Sequence, residues 1–250
     1  MSARRNLLIA LFCALLLPLS GCASAPPAPD PEVYDPFEET NRRIYAFNEV
    51  LDAYIAKPAA DAYVAVTPGF FRTGVTNFFR NAAYPGVILN STLQGRWDET
   101  VEGSVRFLIN STVGLLGLFD IATPMGLEAK RRDFGQTLAG WGAPEGTYLV
   151  LPGLGPSNTR DVNNIPVAAA TSVVTYLGWS VAAPLYALDL VNTRANLDQA
   201  ARFRSEAALD EYVFTRSAYR QFRANLIFEG EIPEPDVDPF DELDWDDMDW

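Results

Sequence analysis

Histidine is absent from this 250-residue chain. That excludes Ser-His-Asp and Cys-His catalysis and every His-ligated metal site. Cysteine is nearly absent: only Cys13 and Cys22 occur. Cys13 lies in the apolar run Leu7–Leu19 behind Arg4 and Arg5, which has the make-up of a bacterial secretion leader. Removal of that leader before Cys22 leaves one cysteine, so no disulfide, zinc or iron–sulfur site is available. Carboxylate, lysine, tyrosine or serine–lysine chemistry alone remains open.

Positive charge is also scarce. The formal net charge is −13, and Glu229–Trp250 holds eleven acids and no base. Without leader and tail the body carries only about −4. A nearly neutral body with an acidic tail is a poor match for nucleic acid, which needs basic patches.

The run Leu19-Ser20-Gly21-Cys22 has the form of a lipobox, in which Cys22 is acylated and becomes the first mature residue. The apolar run before it is too short for a membrane span, which takes roughly 17–25 residues. The expected organisation is a signal peptide (1–21), a flexible Pro/Ala-rich tether from lipidated Cys22 (22–34), a helical domain (35–228) and an acidic, disordered tail (229–250).

Within the body, Asp35, Pro36 and Glu38 fit a helix N-cap, first position and capping box. Phe37, Ile44, Phe47, Leu51 and Ile55 recur with helical period until Pro58 and Pro68-Gly69, which read as breaks. A second helix is expected over 70–81, interrupted at Tyr84-Pro85. A short one follows over 86–93, then a longer one with Trp97, Val101, Val105, Leu108 and Thr112 on one stripe. Tyr148–Leu151 is the one strand-like run. Between Asp161 and Asp189 lie 27 uncharged residues. Pro166, Gly178 and Pro184 divide them, which predicts broken helices, deeply buried or membrane-embedded, rather than one span. Charged helices follow over about 193–224. The expectation is an all-α chain of many short amphipathic helices with at most a small β-hairpin, suited to wrapping around something or to lying in a membrane interface.

Asn41 and Asn48 are seven residues apart, inside the first apolar stripe. They read either as polar groups facing lipid headgroups or a channel, or as buried amides bonded to nearby backbone. Gly178-Trp179-Ser180-Val181-Ala182 has the outline of a nucleophile elbow, but that motif needs a strand–turn–helix and a histidine. The Gly/Pro-rich stretch Gly153–Ser157 matches no phosphate-binding loop and reads as a structural turn. Lys130-Arg131-Arg132 could meet anionic headgroups or form a solvated loop.

Several motifs in order resemble the MlaA/VacJ family of phospholipid-handling lipoproteins: Asp35–Glu38, Asn41-Arg42, Phe47-Asn48, Asn110-Ser111, Asp133–Leu138 with Trp141-Gly142, and Gly146–Pro152 with Gly155–Ser157 and Arg160-Asp161. The resemblance covers about 35–224. It implies a ring-like, membrane-embedded single domain in the inner leaflet of the outer membrane, with an amphipathic channel. It further implies a trimeric porin and a soluble periplasmic lipid carrier as partners, phospholipid as cargo, and neither enzymatic activity nor a cofactor. On it, Asn41, Phe47 and Asn48 become candidate lipid-path or headgroup-side residues, and Cys22 the lipidation site. Ala23, rather than Asp, after Cys22 agrees with outer-membrane sorting. The rival readings are a porin-tethering scaffold and a lipid hydrolase.

Overall fold

The computed structural model describes residues 35–229. The lipobox with Cys22, the tether and the acidic tail beyond Glu229 lie outside the described residues. The body is helical with one two-stranded antiparallel sheet.

The first helix, α1 (Glu38–Leu51), starts later than its capping pattern suggests. Asp35 does not cap it with its side chain. It accepts the Phe37 amide at 3.2 Å, and its fully buried carboxylate turns to Asn41, Tyr212 and Arg216. Pro58 does not end the helix. A π-helical turn over Asp52–Ala56 leads directly into α2 (Lys57–Val66), which places Pro58 in the first turn of α2. The wider turn accommodates a proline ring that would otherwise press on the carbonyl four residues back. The extended residues Thr67 and Pro68 do end α2.

Pro85 likewise lies inside one helix, α3 (Gly69–Leu93), rather than between two. α3 is fixed by its neighbours α4 (Trp97–Thr112), α6 (Asn164–Thr171) and α7 (Trp179–Asn196). Tertiary packing therefore outweighs the one backbone hydrogen bond that proline removes. Gly103 of α4 faces Tyr84, where a Cβ would sit 3.2 Å from the ring. Pro166 and Pro184 are also within helices, α6 and α7. Of the three expected breaks in the uncharged run, only Gly178 separates elements.

A capping box opens the short α5 (Phe134–Gly140): the Asp133 carboxylate accepts the Gln136 amide at 2.9 Å, and Gln136 Oε1 accepts the Asp133 amide at 2.8 Å. The hairpin follows, β1 (Tyr148–Leu151) against β2 (Gly155–Asn158), with Tyr148 opposite Asn158 and Leu151 opposite Gly155. After α7 come α8 (Asp198–Ala207) and α9 (Glu211–Phe228), the latter capped by Asp210.

Among the described residues, two small apolar nuclei stand out. Val75, Phe79 and Ala82 of α3 meet Val174 and Ala182. Tyr148 and Val150 of the hairpin meet Tyr212.

Candidate functional site

The distribution of side chains is inverted. Beside Tyr148, the largest fully buried side chains are Asn41, Asn90, Asn158, Asn192, Thr137 and Ser91. Many large apolar side chains, by contrast, are exposed. On α4 the stripe Trp97, Val101, Val105 and Leu108 faces outward, while Gly103, Arg106 and Asn110 face in. The uncharged run is not deeply buried: only Val174 and Ala182 within it are shielded, and Trp179 is 80 % exposed. A soluble monomer rarely leaves contiguous apolar surface of this extent uncovered. Among the described residues no helix is long and apolar enough to cross a membrane.

A buried amide needs partners, and these have them. Asn41 donates to the Tyr148 carbonyl at 3.1 Å and accepts the Val150 amide at 2.9 Å. One α1 side chain thus pairs with two main-chain groups on the edge of β1. Asn48, two turns later, repeats this, donating to the Leu151 carbonyl at 3.0 Å and accepting the Gly153 amide at 2.7 Å. The seven-residue spacing matches the reach of the hairpin edge. Phe47, beside Asn48, is half exposed and turns away.

Two ionic knots hold further segments together. In the first, Asn110 accepts the amides of Ile121 and Ala122, at 2.9 and 3.0 Å, and donates to Asp120. Arg106 reaches the same carboxylate at 2.7 Å. Burial opposes ionisation of Asp120, but hydrogen bonds from Thr123, Arg106 and Asn110 outweigh it and hold its pKa at about 2. In the second knot, Arg223 of α9 bonds Asp133 at 2.5 and 3.0 Å, and its Nη2 reaches Asp161 at 3.1 Å. Asp161 also accepts from Tyr219 at 2.7 Å and Asn158 at 2.9 Å. Burial raises the Asp161 pKa; the Tyr219 hydrogen bond and the charges of Arg223 and Arg160 more than reverse that. Gly135 lies against this knot, since a Cβ there would overlap Asp161 Oδ1 and come within 2.7 Å of Arg223 Nη2. The motif residues of 133–138 and 155–161 are therefore a scaffold that ties α5, the hairpin and α9 together.

Arg132 of the basic cluster is likewise engaged, bidentate to Glu99 at 2.7 and 2.8 Å; Arg131 is exposed. Ser180 sits in the first turn of α7, after a 3-10 turn and Gly178 rather than a strand, so the nucleophile-elbow setting is not formed.

One feature eluded sequence reasoning. An open cavity of about 550 Å³ lies along α3, lined by Arg72, Thr73, Thr76, Asn77 and Arg80, with Asn196 from α7 and Gly69 at one end. Arg72, Thr76 and Arg80 are four residues apart, so one flank of the helix presents all three. That polar spacing was available in the sequence, overshadowed by the Phe71/Val75/Phe78 stripe on the other flank.

Compared with known proteins, the model of the MlaA lipoprotein family matches residues 33–226. The chain is 33 % identical over 210 residues to the intermembrane phospholipid transport system lipoprotein MlaA of Escherichia coli (strain K12), covering 82 % of each chain. The Haemophilus influenzae protein of the same name is 30 % identical over 238 residues, covering 92 % of this chain and 93 % of that one. An uncharacterized protein of Rickettsia bellii is 37 % identical over 195 residues, covering 77 % and 76 %. A solved structure, described as the structural basis for maintenance of bacterial outer membrane lipid asymmetry, superposes with a TM-score of 0.69 at 30 % identity, covering 78 % of this chain and 99 % of that one.

Proposed function

The chain belongs to the MlaA lipoprotein family, and from that premise we propose that it is a non-enzymatic phospholipid conduit of the outer membrane. In this reading it is tethered through acylated Cys22 in the inner leaflet. It removes mislocalised phospholipid from the outer leaflet and hands it to a soluble periplasmic carrier, beside a trimeric porin.

The observation that carries the proposal is the inverted packing. Apolar side chains of α2, α4 and α7 are exposed while asparagines and ion pairs occupy the interior. In an acyl environment the outward stripe is solvated by lipid, and each helix satisfies its own backbone. Because the helices are too short or too polar to span, they suit immersion in one leaflet rather than crossing.

The physical task explains the architecture. A two-chain phospholipid carries about thirty methylenes, so exposing them to water costs on the order of 25 kcal/mol at ~0.8 each. A protein whose outside is apolar and whose inside is polar lets the acyl chains stay in apolar surroundings while the headgroup crosses on the polar side. No bond is broken, and no nucleophile is required. Asn41 and Asn48 serve this by fixing the hairpin to α1, and half-exposed Phe47 offers apolar surface beside them.

Deletion of the gene tests the proposal: phospholipid accumulates in the outer leaflet and detergent sensitivity rises, and the wild-type chain, but not Cys22→Ala, restores both. Unchanged surface phospholipid in the deletion strain would reject the conduit.

A further inference from the structure

Most arginines of this protein are neutralised within it. Of the fifteen in the described residues, twelve have a carboxylate within ion-pair distance. Among the described residues the exceptions are Arg72, Arg80 and Arg131, and the first two line the same cavity on α3. They are eight residues apart on one helix flank, so their Cα atoms stand about 12 Å apart along the axis.

The cavity wall is built rather than incidental. Thr76 Oγ1 donates to the Arg72 carbonyl at 3.0 Å and accepts from Asn192 at 2.9 Å and Asn196 at 3.1 Å, which locks α7 against this flank. Arg72 is oriented through Nη1 alone, by the carbonyls of Val64 and Thr67 at the end of α2. Its Nε and Nη2 make no hydrogen bond among the described residues. Arg80 makes none at all there. Gly69 and Arg72 belong to the first turn of α3, whose partial positive charge adds to the two guanidinium groups. No carboxylate lines the cavity.

We infer that this cavity recognises the phosphate of a glycerophospholipid and favours headgroups of net negative charge, with Arg72 and Arg80 as the two cationic contacts. The inference rests on the reading of the chain as a phospholipid conduit. Guanidinium forks match phosphate oxygens in geometry and charge. The same lining holds two cations and no anion to pair with the ammonium of an ethanolamine or choline head. Exposed Phe70 and Phe71, adjoining Arg72, supply apolar surface on which acyl chains can lie.

The test uses the full, lipidated chain purified in detergent. It is incubated with vesicles of equimolar phosphatidylglycerol and phosphatidylethanolamine with matched acyl chains, then re-isolated, and its lipid is quantified by mass spectrometry. Repulsion of the phosphatidylethanolamine ammonium by the two guanidinium groups offsets about one charge contact, which corresponds to roughly fivefold enrichment of phosphatidylglycerol. Arg80→Gln lowers the ratio toward unity and lowers the total lipid captured, with Arg72 still in place, and Arg80→Lys retains part of both. Arg80 has no internal hydrogen bond or ion pair among the described residues, so the variant leaves the fold in place; circular dichroism checks this. An equal lipid ratio in both wild type and Arg80→Gln overturns the site while leaving the conduit standing. Arg80-dependent binding of inorganic phosphate without any bias in captured lipid overturns it in favour of a free anion. Capture of no lipid by either protein overturns the conduit reading itself.

Discussion

Replacing Gly135 by alanine adds one methyl group at the second residue of α5, against the knot of Asp133, Asp161 and Arg223. The new Cβ overlaps Asp161 Oδ1 and sits 2.7 Å from Arg223 Nη2. Neither side chain is free to yield. Asp161 is held by Arg160, Tyr219 and Asn158, and Arg223 by both oxygens of Asp133. Relief therefore requires lengthening a buried, hydrogen-bonded ion pair or shifting α5. Overpacking alone costs roughly 1–3 kcal/mol, and weakening a buried pair adds to it, so a loss of about 2–4 kcal/mol is expected. For a body of this size that lowers Tm by about 5–15 °C. Gly140→Ala is the internal control. It ends the same helix, has open space around its added methyl and has no left-handed backbone, so it should be neutral or stabilising by ~0.4–1 kcal/mol. The assay is thermal unfolding of both variants beside wild type, in detergent, followed by circular dichroism. Equal tolerance of the two alanines would refute the assignment of 133–161 as a close-packed ionic scaffold.

Asn41→Asp keeps the shape but sets a carboxylate against the Tyr148 carbonyl and Asp35; a loss of about 2–4 kcal/mol, with faster hydrogen exchange at the Val150 amide, is expected in denaturant melts and exchange spectra. Asp120 has its pKa lowered from 3.8 to about 2 on folding, so its stabilisation is complete above pH ~4 and is lost as pH falls through 2. The contribution is at most about 2 kcal/mol, and Asp120→Asn should be less stable at neutral pH, with a flatter stability profile between pH 4 and 2 in urea titrations. Val101→Asp, on the outward stripe of α4, should leave the fold intact yet weaken vesicle association roughly tenfold or more in flotation assays, because an acidic side chain is costly in an acyl layer; unaltered flotation would argue that this stripe does not meet lipid.

The α4 stripe shows both the reach and the limit of the sequence. Its period was readable, and the structure keeps it, but periodicity does not say which face is inside. Here the apolar face is out and Arg106 and Asn110 are in. The pair Asn41/Asn48 was readable as two amides on one helix face; their partners lie over a hundred residues away on β1, which no local pattern encodes. Pro58 and Pro85 pointed to breaks because local propensity favours them, and a π turn and dense packing on α3 overrode that. The second strand, Gly155-Pro156-Ser157-Asn158, carries no strand signal of its own. It exists because β1 pairs with it and because Asn158 is locked to Asp161.

Photocrosslinking in living cells bears most directly on the claim that this body handles phospholipid with its outward apolar surface. A photoreactive phenylalanine is placed at Trp179 or Phe71, both exposed and apolar, and for comparison at Arg43, exposed and paired with Glu39. After irradiation, captured molecules are identified by mass spectrometry. Phospholipid adducts at positions 179 and 71 and none at 43 are the predicted result. Absence of lipid at all three, or capture of protein alone at 179 and 71, would contradict the account.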